Sequence, residues 1–410
     1  MITDFSTIII GAGAAGLFAG CNIKNGKTLV LEKNSSPGKK LLLSGAGQCN
    51  YTHAGDLDDF INKYGENGSF LRPALYNFKN SNAIEFFKEL GVESVIREDG
   101  KVFPESLKSS DILNALINRC KLNNVDIRYN SPVVSIIYNN ELEFFTVKTN
   151  NEKFTSKNII LSTGGSSYPN TGSTGDGFGL ALLLNHKVVH ASPCLTPINV
   201  KDYSFSDLSG VSFKDIKITL WRENKKIKET TGDVLLTHKN SSGPGILNFS
   251  RYIMKDDTIK INFINLSEEE LSTLIDRQTK ENGKQLVKSI FKDINISKRF
   301  IEKIFEICQV SEDTICSQLN KKDRLCLIKA LCEHSFKVES LVGYHLAMAT
   351  SGGVSLDEIN RKTMQSKIIK GLYFAGEVID IDGDTGGYNI QAAFSTAMLA
   401  VKDINKNLPE

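Results

Sequence analysis

The chain has 410 residues, of which 40% are hydrophobic and 23% are charged, and its formal net charge at pH 7 is +2. These values are typical of a soluble globular protein with two or three domains. A net charge so close to zero argues against a field strong enough to hold nucleic acid nonspecifically, so we expect no nucleic-acid partner.

The sequence carries no signal for a membrane or for export. Its apolar runs are all shorter than the roughly 18 residues of a membrane-spanning helix, and a strand pattern begins within a few residues of the N-terminus. We therefore expect a cytoplasmic protein that contacts no membrane. The eight cysteines include no Cys-x-x-Cys pair, so no metal site is expected, and most cysteines are interpreted as small buried apolar residues.

The first predicted element is an apolar strand, Ile8–Ile10, which runs into a Gly-x-Gly-x-x-Gly turn and then a helix pattern. Gly11 allows the tight turn, Gly13 lets a pyrophosphate approach the backbone, and Gly16 lets the helix pack on the strand. A second apolar run ends at Glu32, at the offset expected for an acceptor to a ribose hydroxyl. Strand, turn, helix and acid together predict a dinucleotide site.

A glycine-rich segment follows the second strand. Residues 41–52 form a short apolar run and then glycines and small polar residues, which can place backbone N–H groups against a phosphate or a flat ring. A simple connector is the alternative interpretation. Cys49 lies where flavin disulfide reductases carry a cysteine pair, but it has no second cysteine nearby. We interpret it as a small residue packed under a cofactor.

The next part of the chain alternates between weak and strong patterns. Residues 55–110 look irregular apart from one helix that Ser81 can cap, and an amphipathic helix is predicted over 111–123. Short strands predicted between 132 and 156 form a β meander. The buried strand at 157–161 ends in Thr-Gly-Gly, and ligands of open parallel sheets bind at such carboxyl ends.

From Pro193 the pattern changes to alternating strands followed by helices. Runs such as 211–220 and 258–264 indicate antiparallel β structure, and residues 267–335 are predicted to be helical, beginning at a Ser267 cap. The sequence thus predicts an inserted domain at 194–340, barrel-like over 194–266 and helical over 267–340. It separates two parts of a nucleotide-binding domain, at 1–193 and 341–410.

The C-terminal region returns to the strand-and-glycine pattern. The buried run 371–376 ends at the acid Glu377, and Gly386-Gly387-Tyr388-Asn389 then precedes a final helix. A plain NAD dehydrogenase does not need this return, but a two-part flavin site does. The acid can bind a ribityl hydroxyl, and the N-terminus of the helix can face the N1/C2=O edge of an isoalloxazine ring.

As a set, these motifs resemble those of the BaiN/YhiN-type flavoproteins, which are also labelled NAD(P)/FAD-dependent oxidoreductases or aminoacetone-oxidase-family FAD-binding enzymes. The resemblance covers nearly the whole chain and rests on the segments 11–16, 40–50, 163–165, 242–244, 371–377 and 386–391. It implies an α/β fold in which a Rossmann-type FAD-binding domain, a parallel sheet with a β meander, is interrupted by an inserted antiparallel β-plus-helical domain. It also implies that FAD is bound noncovalently.

The resemblance further implies which residues hold the cofactor. The ADP half would contact Gly11, Gly13, Ala14, Ala15, Gly16, Glu32 and Lys33, with the backbone of Val134 near the adenine. The phosphates, ribityl chain or ring would contact Lys40, Ser44, Gly45, Cys49, Asn50, Thr163, Gly164, Gly376, Glu377, Gly387, Asn389 and Ile390. Two positions depart from the family pattern: Gln48 stands where arginine is usual, so that a fixed charge is missing, and Asn240 stands where glycine is usual.

The sequence therefore predicts an FAD-dependent oxidoreductase that acts on a small molecule, with NAD(P)H as a possible transient electron donor. The alternatives are a flavoprotein reduced by its own substrate, a flavoprotein that modifies RNA, a nonenzymatic flavin-binding protein and a plain NAD dehydrogenase. No catalytic acid or base is assigned: Tyr388, His345 and His238 are weak candidates for which a structural role is favoured. The sequence does not specify an oligomeric state.

Overall fold

The computed structural model describes residues 3–292, 294 and 296–408, which form two compact units. The first unit comprises the described residues up to Cys194 and those from Tyr344 onward, and the second unit is Leu195–Gly343. The sequence analysis places the insert at 194–340, so the second unit begins and ends slightly later than expected.

The helices and strands are labelled in chain order. The first unit begins with β1 (Phe5–Ile10), α1 (Ala14–Asn22), β2 (Thr28–Leu31), α2 (Lys39–Leu43), β3 (Thr52–His53), α3 (Leu57–Asn62), α4 (Gly68–Asn77), α5 (Asn80–Glu89), β4 (Ser94–Ile96), β5 (Lys101–Pro104), α6 (Ser109–Leu122), β6 (Asp126–Arg128), β7 (Val133–Asn139), β8 (Phe144–Thr149), β9 (Lys153–Leu161), α7 (Asp176–Leu183) and β10 (Val188–Cys194).

The second unit contains β11 (Ile198–Val200), β12 (Ser212–Arg222), β13 (Lys225–Leu236), β14 (Asn240–Ser242), α8 (Pro244–Phe249), β15 (Thr258–Asn262), α9 (Glu268–Glu281), α10 (Lys298–Ile307), α11 (Lys321–Cys332) and β16 (His334–Leu341). The chain then returns to the first unit with β17 (Ala349–Val354), β18 (Leu372–Phe374) and α12 (Tyr388–Asn407).

The main sheet of the first unit has seven strands in the order β6-β2-β1-β9-β8-β7, with β18 also paired to β9. Strands β1, β2, β6, β9 and β18 are parallel, and the apolar residues of β1, β2, β9 and β18 are buried, as in other parallel sheets. The first half of β9 pairs with the antiparallel β8, and its second half, Ile159–Leu161, pairs with β18. This is the Rossmann-type sheet with a meander that the sequence predicts.

The carboxyl ends of four parallel strands lie at one edge of this sheet. Ile10 pairs with Leu31 and with Leu161, and Leu161 pairs with Phe374. The glycine turn, Glu32, the Thr-Gly-Gly segment and the C-terminal glycine–acid pair follow these four ends directly. Residues that are distant in sequence are thereby collected at a single edge.

The last helix of the chain is part of the core of the first unit. The ring of Phe394 in α12 lies 4.8 Å from that of Phe18 in α1, and the ring of Phe18 also lies 4.9 Å from that of Phe78. All three rings are buried. Aromatic packing of this kind adds about 0.5–1.5 kcal/mol per pair beyond area burial, and it fixes α12 against α1.

The second unit is a closed six-stranded barrel in the order β11-β14-β13-β12-β15-β16. Helices α9, α10 and α11 contribute to the same hydrophobic core as the barrel strands. Ser267 caps α9 as predicted, since its hydroxyl accepts a hydrogen bond from the backbone N–H of Glu270. A disulfide joins Cys308 to Cys326, and the other six cysteines are buried thiols.

Three sequence predictions of local structure are wrong. Residues 55–110 contain three helices and the β4–β5 hairpin, and α5 starts at Asn80, so Ser81 lies inside this helix and does not cap it. Residues 153–161 form one continuous strand. Residues 334–341 form β16, which closes the barrel after α11 has ended at Cys332, so the 267–340 segment is not wholly helical.

Candidate cofactor site

The three glycines of the first turn have different surroundings. Gly11 has φ +101°, and a Cβ on it would lie 2.6 Å from the carbonyl oxygen of Ser162 in the segment after β9. A Cβ on Gly16 would lie 1.9 Å from the carbonyl oxygen of Gly11, so helix and turn are in direct contact there. A Cβ on Gly13 would meet nothing within 4 Å. Gly13 is thus the open position of the turn, where a phosphate can approach the N-terminus of α1.

Glu32 connects the end of β2 to this turn. Its buried carboxylate accepts a hydrogen bond from the Ala12 backbone N–H at 2.9 Å and two from Asn34, through its backbone N–H and its side-chain amide, each at 2.8 Å. Carboxylate oxygens have more acceptor positions than these three bonds use, so Glu32 retains capacity for a ribose hydroxyl. The sequence analysis missed Asn34.

Lys33, expected at the ADP half, is held by the start of α7. Its ammonium group lies 2.5 Å from the carboxylate of Asp176 and 2.6 Å from the hydroxyl of Thr174. Burial acts to raise the pKa of Asp176, but the hydrogen bonds from Lys33 and Thr174 outweigh it and hold the pKa below its usual value. The sequence analysis assigned neither Asp176 nor Thr174.

Val134, expected near the adenine, lies at an irregularity in β7. The pairing of β7 with β8 shifts register between Val133 and Ser135, so Val134 has no cross-strand partner in the ladder. Its side chain is 50% exposed. The same part of the chain reaches the end of β2, because the Ser131 N–H donates to the Glu32 carbonyl at 2.8 Å. A bulged backbone beside Glu32 is available to a ligand.

The second glycine segment forms a tight loop of left-handed residues. Gly45, Ala46, Gly47 and Cys49 all have positive φ, and Ser44 anchors the loop through a 2.6 Å hydrogen bond to the Leu41 carbonyl. Burial raises the pKa of the Cys49 thiol to about 12, so the thiol is protonated at neutral pH. This fits a packed small residue rather than a redox-active one.

Two residues expected to contact the cofactor carry buried polar atoms without a hydrogen-bond partner among the described residues. They are the side-chain oxygen Oδ1 of Asn50 and the hydroxyl of Thr163. A Cβ on Gly387 would lie 2.9 Å from that Asn50 oxygen, so the second loop and the start of α12 are adjacent. Buried polar groups normally have partners, and a bound ligand can satisfy these two. The residues present therefore fit a flavin dinucleotide.

A compact polar cluster joins the second loop to the C-terminal return. The ammonium group of Lys40 lies 2.6 Å from the carboxylate of Glu377 and also contacts the hydroxyl of Ser167. Glu377 accepts further hydrogen bonds from Ser167 at 2.9 Å and from the Thr350 backbone N–H at 2.7 Å. Lys40 and Glu377 were expected near the ribityl chain or ring, whereas Ser167 and Thr350 were missed.

The start of α12 is rigidly built. Gly387 has φ +95°, and a Cβ there would lie 2.4 Å from the Thr52 carbonyl oxygen. The side-chain amide of Asn389 accepts from the Gly383 N–H at 2.7 Å and donates to the Gly383 carbonyl at 2.8 Å. Asn389 thus shapes the preceding loop, and Ile390 beside it is partly exposed. Gly376 lies against Ala15, since a Cβ on it would be 3.0 Å from the Ala15 Cβ.

The weak candidates for catalysis lie in settings that favour structural roles. Tyr388 is buried, its ring stacks on that of His53 at 5.0 Å, and burial followed by Asp384 and Asp59 raises its pKa to about 12. His345 and His238 are exposed.

The turn at Asn240 is closed by hydrogen bonds with Thr237, and Asn240 has a negative φ, so the turn does not require glycine.

The structure thus brings the predicted site residues together within the first unit. The Ala12–Glu32 hydrogen bond groups the residues of the ADP half. The Lys40–Glu377 ion pair and the contact between Asn50 and Gly387 group those expected at the ribityl chain and ring. Among the described residues, no group of three or more His, Cys, Asp or Glu side chains is arranged to hold a metal ion.

The protein family that the sequence matches agrees with this grouping of site residues. Residues 5–403 match the family described as the HI0933-like protein Rossmann domain. The chain belongs to this family. The predicted Rossmann-type FAD-binding fold and the class of FAD-dependent oxidoreductases are confirmed by this membership.

Three relatives in this family align over nearly their whole length. The ribosomal RNA dihydrouridine synthase of Escherichia coli (strain K12) is 29% identical over 98% of both chains. That of Haemophilus influenzae is 31% identical over 97% of this chain and 98% of the relative. The 3-dehydro-bile acid delta(4,6)-reductase of Clostridium scindens is 27% identical over 96% of this chain and 97% of the relative.

A solved structure shares the fold at low sequence identity. The 3-ketosteroid delta1-dehydrogenase of Sterolibacterium denitrificans superposes with a TM-score of 0.51 at 11% identity, over 98% of this chain and all of the other. Within the part of the chain that the structure describes, no helix has the length and apolar character needed to cross a bilayer.

Proposed function

We propose that this protein is an FAD-dependent reductase of uridine in ribosomal RNA, with NAD(P)H as its electron donor. The observation that carries the proposal is the full-length similarity to two ribosomal RNA dihydrouridine synthases. Within the first unit, the Ala12–Glu32 hydrogen bond and the Lys40–Glu377 ion pair support it, because they join motif segments that are distant in sequence. The relative named for bile-acid reduction has a lower identity, 27%.

The names of these relatives describe related chemistry. Formation of dihydrouridine saturates the C5=C6 bond of uracil, which is conjugated with the C4 carbonyl. A delta(4,6)-reductase of a 3-dehydro bile acid saturates a double bond conjugated with the C3 carbonyl. Both names describe the reduction, by a hydride and a proton, of a carbon–carbon double bond in conjugation with a carbonyl. We therefore assign this bond type to the proposed reaction.

FAD and the residues of the chain have different roles in the proposed reaction. When bound, FAD would supply hydride transfer from NAD(P)H to the substrate. The residues of the chain would bind and orient it: the open backbone at Gly13 would face the pyrophosphate, and Glu32 would accept a hydrogen bond from a ribose hydroxyl. Lys40 and Glu377 would order the ribityl side, and the backbone N–H groups at the N-terminus of α12 would stabilise negative charge on the ring.

An RNA substrate revises the expectation of no nucleic-acid partner. That expectation rests on the net charge of +2, which argues only against strong nonspecific attraction. A modifying enzyme with weak nonspecific attraction selects its substrate through local contacts. The names of the two relatives support an RNA substrate. A small-molecule substrate is the alternative that the test below can identify.

The test begins with the visible spectrum of the purified protein and anaerobic titration with NADH and NADPH. The reduced protein is then mixed with unmodified ribosomal RNA transcripts, and dihydrouridine is measured by mass spectrometry of the digested nucleosides. A 3-keto-4,6-diene steroid is offered in a parallel reaction. Gly13→Asp is the matched control, because its carboxylate would enter the open space of the phosphate-binding turn.

We expect a flavin spectrum, bleaching by one of the two nicotinamides, and dihydrouridine in the RNA only with the wild-type protein. Colourless protein that stays colourless after addition of FAD would overturn the central assignment. Reduction of the steroid without any dihydrouridine would overturn the RNA substrate and identify a small-molecule reductase. A flavin that neither nicotinamide reduces would overturn the electron donor and indicate an enzyme reduced by its own substrate.

A further inference from the structure

The loop after α2 holds an unusual backbone conformation. Gly45, Ala46, Gly47 and Cys49 have φ between +55° and +86°, and two of these four residues are not glycine. A left-handed conformation costs a non-glycine residue about 1–2 kcal/mol. Such strain persists where the surrounding structure enforces it, and it concentrates at ligand-binding sites. Gln48 lies within this loop, between Gly47 and Cys49.

An arginine from another part of the first unit contacts Gln48. Arg97 lies on the turn between β4 and β5, where its backbone N–H donates to the Lys101 carbonyl at 3.0 Å. Its guanidinium donates a 2.6 Å hydrogen bond to the side-chain oxygen of Gln48. The central carbon of the guanidinium also lies 4.0 Å from the ring centroid of Phe103. Two contacts from different elements therefore fix its orientation.

Phe103 in turn is tied to the same loop. It is buried, and one edge of its ring would lie 3.2 Å from a Cβ on Gly45. The loop, the aromatic ring of Phe103 and the guanidinium of Arg97 are thus packed against one another. The charge that the sequence analysis found missing at Gln48 is present beside it, on Arg97.

Arg97 is oriented by uncharged partners, Gln48 and Phe103, and no carboxylate lies within 4.0 Å of it in the described part of the chain. The nearby Asp99 pairs with Lys101 at 2.6 Å, and its pKa is lowered mainly by Lys101, with a smaller Coulombic contribution from Arg97. Arg97 is exposed, and a guanidinium has five N–H donors, of which one is directed to Gln48. The remaining donors can bind a phosphate in bidentate fashion.

We propose that Arg97, positioned by Gln48 and Phe103, is an anion-binding residue that takes a phosphate of the RNA substrate beside the cofactor loop. This inference rests on the proposed RNA substrate. The same chemistry would suit the phosphates of the nicotinamide donor, so the experiment measures both ligands. The inference gives a protein of near-zero net charge a local contact for RNA, as its proposed function requires.

The test compares dihydrouridine formation by the wild type, Arg97→Gln and the double variant Arg97→Gln/Gln48→Arg, with KM and kcat for RNA measured from 50 to 200 mM salt. Arg97→Gln should raise the KM for RNA roughly 10- to 100-fold with a small effect on kcat, because a charge-assisted contact is lost. The slope of log(kcat/KM) against log[salt] should become shallower by about 1. The double variant restores a guanidinium one side chain away and should recover most of the affinity.

Arg72→Gln is the matched control, because Arg72 is an exposed arginine of the same unit that pairs with Asp58 at 3.4 Å. It should leave the KM for RNA and the salt slope as in the wild type. An Arg97→Gln protein with wild-type KM and salt slope would overturn the assignment of Arg97. A raised KM for NADPH alone would assign the residue to the nicotinamide instead. Wild-type protein that forms no dihydrouridine at all would overturn the proposed function, an outcome distinct from both.

Discussion

The carboxylate of Glu377 lies 2.6 Å from the ammonium group of Lys40, although 337 residues separate them in the sequence. Both side chains are largely sheltered from solvent, and Glu377 has two further donors in Ser167 and Thr350. The cluster holds the second glycine loop against the C-terminal return. Its rigidity is therefore a condition for the shape of the proposed flavin site.

Glu377→Gln should weaken FAD binding about 10- to 100-fold, because the variant loses the ion pair and leaves the ammonium group of Lys40 without its counter-charge. The measurement is the dissociation constant of FAD for deflavinated protein, from fluorescence quenching. Glu143→Gln is the control: its pair with Lys370 has a similar length of 2.8 Å but is exposed, so FAD binding should be unaffected. Equal affinities for all three proteins would show that the cluster does not shape the site.

Substitution by alanine should affect two glycines of the first turn differently: at Gly16 it should lower stability, and at Gly13 it should lower FAD affinity. Gly16→Ala places a Cβ 1.9 Å from the Gly11 carbonyl oxygen, so α1 must move and the unit should lose several kcal/mol of stability. Gly13→Ala meets nothing within 4 Å and has a negative φ, so the protein should fold normally. Its methyl group would nonetheless hinder a pyrophosphate, and FAD affinity should fall at least tenfold.

Thermal unfolding and FAD titration of both variants separate these effects. Gly13→Ala with wild-type affinity would place the phosphates away from this turn. Gly16→Ala with a wild-type unfolding temperature would contradict the close contact between α1 and the turn.

The second unit should lose stability in mild acid because of His334. Burial lowers the pKa of this histidine to about 4, against about 6.5 in the unfolded chain. Between these values the unfolded state binds more protons, so stability falls as the pH drops from 6.5 towards 4. The contribution is at most about 3 kcal/mol. His334→Phe would pack against Phe205 and Phe336 and should flatten this part of the pH profile.

Denaturant unfolding between pH 7 and pH 4 measures this contribution. His238→Gln, at an exposed histidine of the same unit, should keep the wild-type profile. A profile of His334→Phe as steep as that of the wild type would assign the acid sensitivity to other groups.

Ala46→Gly should stabilise the first unit by about 0.5–1 kcal/mol, since Ala46 has φ +55° and glycine adopts this conformation without strain. Ala54→Gly, at a nearby position with negative φ, should instead destabilise it through the greater flexibility of the unfolded chain. Chemical denaturation followed by flavin fluorescence compares the two. Destabilisation by both variants would mean that the left-handed loop stores no strain.

The parts of the fold that sequence patterns predicted are those set by local chemistry. The strand–turn–helix at Gly11–Gly16 and the Ser267 cap follow from contacts within a few residues. Helices α3 and α4 were missed because glycines and Pro73 interrupt their patterns, although Pro73 lies inside α4. Strand β16 was missed because it begins two residues after α11 ends and is defined by pairing with β11 and β15, which are distant in sequence.

The residues of the candidate site also fall into two groups: those that local sequence predicts, and those that depend on contacts between distant segments. Motif glycines and Glu32 can be read from spacing, because the geometry of a dinucleotide turn is local. The partners that fix them cannot: Ser167, Thr350 and Asp176 meet Glu377 or Lys33 only when strand ends converge at one sheet edge. The pairing of Arg97 with Gln48 likewise depends on the β4–β5 hairpin, which the sequence did not reveal.

The divided pairing of β9 has a consequence for synthesis on the ribosome. Residues Ile159–Leu161 pair with β1 on one side, but their other side gains its partner only once β18 has been translated, after the whole of the second unit. The nascent chain therefore carries the proposed phosphate-binding turn for most of its synthesis without Glu377, Gly387 or the packing of Phe394 on Phe18. We therefore expect the protein to retain a flavin only after β18 and α12 have been translated, and not when the glycine motif emerges. Chains that terminate early expose an unpaired apolar strand edge, which favours aggregation.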